Sequence, residues 1–520
     1  MRKTLYILTA LVMVISMLLA ACTPATTVVP TTAPATEDTT SVTDTPEVMV
    51  TDTPAGTDAT ATPEPPTVTP TPTAYPMATA ITGYTAVRWF IGLGTGTDPA
   101  QLTAEQSVVD DFNAAPERAT DKIQLIMEVV PYASAKDTVL TEIASGNGPD
   151  VIGPVGWNGS SALHGQWADL TAEIKSIPDV TKDFDAALLK SYESSEGQIG
   201  LPFAVYPSAI FYNTALFDEA GLAYPPAKYG DKYMLDGKEV DWDWQTTVKT
   251  VAQKLTVDAN GKNATEDGFD ATKIVQYGFS WNFETQASYV GSFWQSGSFT
   301  DASGTKAQIP AAWKDAWAWT YDGVWGKQPY IINGQAAGSP DFGNGNVFSS
   351  GKVAMIDQPA WYTCCTGDLK TWDLGAMPSY KGKVAGRIDA DTFRIWKGTK
   401  VKAAAFKVLT YLVTTGVQKL IIGSKDMPAA YGALPARAAD QAPWLAAKKE
   451  AFPWVKNWDL FPAGLSYPDS PSAEAYMPNY NEAWTANGAA YSKWLNTSGL
   501  DINAEADALQ KDLQTIFDKK

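Results

Sequence analysis

Histidine is almost missing from this chain: His164 stands alone among 520 residues. Any mechanism that needs an imidazole base, whether Ser-His-Asp or Cys-His, therefore has a single candidate and little support. Cysteine is nearly as scarce, at three, too few for a disulfide scaffold. Cys364 and Cys365 are adjacent, and neither a Cys-x-x-Cys spacing nor a nearby histidine supports a metal site. Clusters of Lys and Arg are lacking too. The first 80 residues hold Arg2 and Lys3 against seven acids, so the remainder keeps 37 basic and 50 acidic groups and carries −13 of the total −18. Phosphate backbones demand clustered cations, so nucleic acid is excluded as a partner. No GxxxxGK[ST] pattern occurs, which removes the usual phosphate cradle of a nucleotide site. No metal and no cofactor is expected.

What is present begins with a signal. Arg2 and Lys3 form a positive start, and Leu5 to Ala21 form an apolar run that stops at Cys22. Length alone would also allow a membrane-spanning anchor. The sequence "LAAC", Leu19 to Cys22, resembles the lipobox of bacterial lipoproteins, in which small residues fit a peptidase cleft and the thiol is acylated. That resemblance implies a signal peptide over 1–21, a lipid on Cys22, and a body held at the outer face of the cell membrane. Residues 22–80 are Thr- and Pro-rich and have no aromatic before Tyr75. Such a segment cannot bury enough apolar surface to fold and is expected to be a disordered or polyproline-like linker.

The body is the opposite. All 19 tryptophans lie at or after Trp89. "TAVRWFIGLGTGTDP" reads as a strand opening into a glycine loop, and "AEQSVVDDFNAA" as a helix with Val108, Val109 and Phe112 on one face. "KIQLIMEVV" is a second strand, and "ASAKDTVLTEIASG" a helix closed by Gly146. "PDVIGPVGW" is a third strand. This alternation is the grammar of a parallel α/β sheet, whose ligands bind beyond the carboxyl ends of the strands. Further on, "IGLPFAVYPSAIFYNTALFDEAGL" reads as a strand pair through Pro202 and Pro207, then a helix ending at Gly221. "DWDWQTTVKTVAQKL" reads as a helix burying Trp244, Val248, Val251 and Leu255. "GKVAMIDQPAWY" is a strand with an aromatic turn, "VKAAAFKVLTYLVTTGVQKLII" a long helix, and "AEADALQKDLQTIF" a final helix. Trp313, Trp317 and Trp319 recur at helical spacing and should pack a core. "TVDANGKNATEDGFDATK" looks like a calcium loop, but Lys262 and Phe269 stand where ligands are required, so a solvated turn is the better reading.

The order of these segments resembles the extracellular solute-binding proteins of ABC importers, in the sugar-binding group that includes maltose-binding protein. The resemblance spans residues 84–520 and rests on the lipobox, "NGPDVIG", "LPFAVYPSAIFYNTALFDEAGL", "FSSGKVAMIDQPAWY" and "AAAFKVLTYLVTTGVQKL". It implies an α/β, two-lobed periplasmic-binding-protein fold of type II, with lobes joined by hinge crossings and a ligand cleft between them. Lobe 1 would hold residues 84–204 and 387–455, and lobe 2 residues 205–386 and 456–520. Crossings are expected near 204–208, 386–391 and 454–461. The implied partners are a small-molecule ligand, a separate ABC permease and the membrane through Cys22, with the binder itself a monomer.

A sugar offers an apolar face and a rim of hydroxyls, so its site needs aromatic platforms and planar polar groups. The resemblance places Trp157, Trp281, Trp294, Trp361 and Trp484 near the cleft, with Trp361 as the stacking position. Tyr206 lies in the first crossing. Thr95, Thr97 and Asp98 in the first loop, with Gln358 and Asp391, are candidates for the hydroxyls. Arg387 could instead mark a carboxylate-bearing ligand. Two rivals stay open. Aromatics lined with acids could hold a polyamine, peptide or osmolyte, and a secreted glycoside hydrolase would need only two facing carboxylates.

Overall fold

The computed structural model describes residues 76–519 except Thr95, Gly96, Lys425, Asp426 and Pro428. The expected signal peptide, the lipidation site Cys22, nearly all of the linker and Thr95 therefore lie outside the described residues. The described chain belongs to one unit, Thr71–Lys520. It opens with β1 (Thr85–Ile91), α1 (Pro99–Ala114), β2 (Ile123–Val129), α2 (Tyr132–Ala144) and β3 (Val151–Val155). β1 runs parallel to both β2 and β3. Side chains on both faces of β1 are buried: Val87, Trp89 and Ile91 enter one cluster and Phe90 another. That explains the unbroken apolar run, since a parallel sheet is covered on both sides. The helix α2 ends at Gly146, which has φ +75.

The middle of the chain departs from the expected strand pair. Residues Leu201–Asn213 form one continuous strand, β4, thirteen residues long and buried throughout. At about 3.3 Å per residue it extends roughly 40 Å. Its two ends have different neighbours. Residues 201–207 pair with β7 (Ile388–Ile395) and with β8 (Leu434–Pro435). Residues 208–213 pair with β5 (Met355–Pro359) and β6 (Trp372–Gly375). The prolines survive because neither stands in an undisturbed ladder: Pro202 faces Thr392 at a register shift, and Pro207 is the last residue before the change of partners. Such positions need no backbone N–H. The first expected crossing, 204–208, contains this exchange.

β7 returns alongside β4 and also pairs with β3, and its first residues, 388–391, fall in the second expected crossing. Around the third expected crossing, Trp458 and Phe461 pack on the same strand system, Phe461 against Phe211. The helix α3 (Trp157–Ala162) follows β3. Past β4 come α4 (Thr214–Ala220), α5 (Lys249–Leu255), α6 (Ala287–Ser292) and α7 (Ala311–Trp325). α8 (Lys402–Thr414), α9 (Ala438–Ala451), α10 (Leu460–Gly464), α11 (Tyr480–Asn496) and α12 (Ile502–Phe517) complete the chain. Trp313, Trp317 and Trp319 of α7 are buried, as their spacing implies. The calcium-like segment is a turn in which Asp258 accepts N–H bonds from Asn260, Lys262 and Asp270. Cys364 and Cys365 are joined as a disulfide.

Candidate functional site

The strand alternation of β7 builds the floor of the site. Arg387, Asp389 and Asp391 share one face, while Ile388 and Ala390 on the other are buried in the core. At one end, Asp391 accepts a bond from the Tyr206 hydroxyl at 3.4 Å. At Gly156, just past β3, a Cβ would stand 2.8 Å from the Asp391 carboxylate, so a larger residue would displace that side chain. Gly92 after β1 is required, since its φ is +145 and a Cβ would overlap the Val130 carbonyl. Gly156 lets the loop after β3 come close to the floor, and Gly92 lets the chain after β1 pass close to the Val130 backbone. At the other end, Arg387 grips Asp389 through two bonds of 2.9 Å and Glu284 through one of 2.6 Å. Its guanidinium lies 4.0 Å above the centre of the Tyr289 ring.

Carboxyls crowd this floor. Asp469 accepts the Ile388 N–H at 2.9 Å. Glu474 accepts the Asn158 N–H at 3.1 Å and the Tyr289 hydroxyl. Asp357 of β5 is fully buried with neither carboxyl oxygen hydrogen-bonded. Burial, reinforced by neighbouring negative charge, pushes Glu284, Asp391 and Asp469 up to about 7 and Glu474 to about 8. Asp357 is raised well above the carboxylate range for the same reason. In water these groups would ionise near 4; burial in a low-dielectric site shifts them toward the neutral form, against the pull of Arg387 and, for Asp391, Arg394.

Aromatic rings stand around the floor in two groups. On one side Trp157 is half-buried and stacks on Tyr192, with Arg394 5.5 Å behind its ring. Through Asn158 and Glu474 this wall meets Tyr289, whose ring is T-shaped against Trp484; Trp484 is half-buried and stacked on Tyr480. The Ser161 hydroxyl donates to the Glu474 carbonyl and His164 stacks on Tyr476, closing the same seam. On the other side Trp361, half-buried, stacks on exposed Phe283. A Cβ at Gly432 would meet the Trp361 backbone, and the Gln101 amide donates to the nearby Ala430 carbonyl. Trp361 thus sits between Phe283 and the region of the first loop.

Of the expected site residues, Trp157, Tyr206, Asp391 and Trp484 converge on the floor, and Trp361 forms a second platform. Gln358 lies behind it, fully buried, its amide donating to the Asn282 carbonyl. It positions the Asn282–Glu284 segment. Thr97 is half-buried and Asp98 exposed at the start of α1, where the Asp98 N–H donates to Gln101. Two placements correct the expectation. Trp281 is 5% exposed, lies flat on Phe293 and donates to Thr320; Trp294 is 2% exposed and packs on Tyr380 and Trp319. Both belong to the aromatic core, because helix α7 brings Trp319 against each of them. Arg387 is buried, and Glu284 and Asp389 accept from its Nε, Nη1 and Nη2.

Sequence reasoning missed Phe283, Glu284, Tyr289, Asp357, Asp389, Asp469 and Glu474. Only Asp389 carried a signal, its i, i+2 relation to Arg387 and Asp391 in a crossing strand. Phe283 has φ +63, a conformation rare for a bulky residue and found where structure holds a side chain in place for use. A surface cavity of about 1080 Å³ lies elsewhere, along Phe406 and Tyr411 of α8, and includes none of these residues.

A family model described as bacterial extracellular solute-binding protein matches residues 96–419. No curated protein matches the chain. Among solved structures, UspC of M. tuberculosis is similar at 18% identity, covering 83% of this chain and 100% of its own, with a TM-score of 0.62. The sugar-binding protein MalE from Xanthomonas citri shares 17% identity over 83% of this chain and 97% of its own, TM-score 0.60. The ABC substrate-binding protein Lmo0181 from Listeria monocytogenes, solved with cycloalternan, shares 18% over 84% and 99%, TM-score 0.59. The fold is thus α/β with the two-lobed arrangement of periplasmic binding proteins.

Proposed function

Because the chain belongs to the bacterial extracellular solute-binding proteins, we propose that it captures a carbohydrate between two lobes and delivers it to a separate ABC permease. The observation that carries this is the floor of β7, flanked by the half-buried rings of Trp157, Trp484 and Trp361. Apolar rings beside carboxyl and hydroxyl groups match the two chemistries of a sugar. The lobes are residues 84–204 with 387–455, and 205–386 with 456–520. The change of partners along β4 supports a hinge at Pro207–Ser208. Ligand bridging the lobes shifts an open and closed population toward the closed form, which is what a permease would read.

The protein acts as a monomer, tethered at the outer membrane face by a lipid on Cys22. A thermal-shift screen against mono- and oligosaccharides, amino acids and polyamines tests the ligand class, since saturating ligand raises the melting temperature. Stabilisation by no saccharide overturns the carbohydrate reading. Product release from an oligosaccharide by the purified protein overturns capture without turnover. Replacing Cys22 with Ser should free the protein from membranes, and retention of the variant there overturns the lipid anchor.

A further inference from the structure

Cys364 and Cys365 are neighbours in sequence and are bonded to each other. A disulfide stabilises a fold mainly by closing a loop in the unfolded chain, and the gain grows with the length of that loop. Adjacent residues close the smallest loop available, so this bond adds little to global stability. Its effect is local. The two side chains and the peptide bond between them form one small ring, and the backbone there loses its freedom to rotate.

That ring ends the turn that carries Trp361. Residues Ala360–Cys364 form a 3-10 helix, and Cys364 is its last residue. Side chains three apart in such a helix lie in line, so Cys364 shares a face with Trp361. The Cys365 N–H donates to the Tyr362 carbonyl, and the Asn346 amide donates to the Cys365 carbonyl at 2.7 Å. Asn346 also accepts from the Tyr362 hydroxyl at 2.6 Å. The Tyr362 ring lies 6.0 Å from Phe283 and 6.1 Å from Trp361. The disulfide, Asn346, Tyr362 and both rings of the platform are thus one connected assembly. Cys364 is exposed and Cys365 half-buried, so a thiol in solution can reach the bond. Proteins of this family are extracellular, and disulfides persist there.

Resting on the carbohydrate reading above, we infer that the Cys364–Cys365 disulfide positions Trp361 for stacking, so that saccharide affinity follows the redox state of this pair. Reduction by a dithiol breaks the S–S bond. The pair takes up two electrons and two protons and becomes two thiols, while the dithiol becomes a disulfide. The turn then regains its rotations, and Trp361 is no longer held in one orientation.

The test uses the Cys22→Ser protein, in which this pair holds the only sulfur atoms of cysteine, before and after treatment with dithiothreitol. Maltotriose, cellotriose and chitotriose are titrated calorimetrically. Alkylation and mass spectrometry should find free thiols only after reduction; free thiols in the untreated protein overturn the inference. Reduction should weaken saccharide binding about fivefold, the worth of roughly one stacking contact, with the melting temperature nearly unchanged. Cys364→Ser with Cys365→Ser should bind as weakly without reductant. In Trp361→Ala, reduction should have no further effect, because both changes act through one ring. Reduction should also alter tryptophan emission in the protein that keeps Trp361 and leave that of Trp361→Phe unchanged, a readout that needs no ligand. Equal affinity in the two redox states, or the same loss on reduction in Trp361→Ala, overturns this inference and leaves carbohydrate capture standing. Binding of no saccharide by the oxidised protein overturns both.

Discussion

Trp281 and Trp484 are the same side chain in two settings. Trp281 lies flat on Phe293, donates its N–H to Thr320 and has Trp244, Phe279 and Trp319 against it. Trp484 rests one face on Tyr480, presents its edge to Tyr289 and remains half-buried. The first is closed on every side and stabilises the fold. The second is fixed from behind and open in front, which is what a stacking platform for a solute requires. Composition cannot separate the two, since both are large aromatics with aromatic neighbours. The number of sides left open separates them.

The most severe way to test this contrast is to empty the closed set. Trp317→Ala removes a buried ring whose N–H donates to Ala287, and should cost about 3–5 kcal/mol. The melting temperature should drop, with saccharide affinity of the folded protein unchanged. Lost affinity at full stability would reverse the roles assigned here. Next comes the floor. Arg387→Met strands Glu284 and Asp389, and breaking a buried pair from one side costs on the order of 3 kcal/mol. Urea unfolding reads this, and an unchanged midpoint would mean the carboxyls are already neutral without the arginine.

Opening the platforms has a smaller effect on the fold and a larger one on binding. Trp361→Ala and Trp484→Ala should each weaken saccharide binding roughly tenfold to a hundredfold, about 1.4 kcal/mol per decade. The melting temperature should hardly move. A large stability loss with intact binding would place either ring in the core with Trp281. The smallest effect is the dependence on pH. Glu284, Asp391 and Asp469 stand at about 7 and Glu474 at about 8 in the folded protein, against about 4 when unfolded. The native state therefore holds more protons, so their contribution is complete below pH of about 4 and is lost as pH rises toward 8. The urea midpoint should fall between pH 5.5 and 8, less steeply in Asp469→Asn. A midpoint that stays level over that range would show that Arg387 keeps the cluster ionised.

Much of the fold was legible along the chain. The period-two and continuous apolar runs of β1 to β3, the glycine that closes α2 and the helical spacing of Trp313 and Trp317 each state a local preference. Local preference holds where the partner is near in sequence. It failed at β4, where two prolines suggested a break. The strand continues because its partners change at the proline, and those partners lie more than 140 residues away. It failed again for the tryptophans, because Trp281 and Trp294 meet α7 only in the folded chain. The candidate site was half legible. Trp157, Trp361 and Trp484 follow from segment order, whereas Glu474 and Tyr289 join the site through contacts that no spacing announces.

What the sequence alone determined is therefore a matter of composition and local pattern: an acidic α/β body after a Thr/Pro-rich lead, with no cluster of cations and almost no histidine. Tertiary structure decided which aromatics are closed and which are open, and it brought Glu284, Asp357, Asp469 and Glu474 from distant segments near Arg387 and Asp389. The physical reason is that burial and electrostatics are sums over spatial neighbours. A side chain's charge state and its availability to a ligand depend on what surrounds it, and the chain fixes those surroundings only by folding.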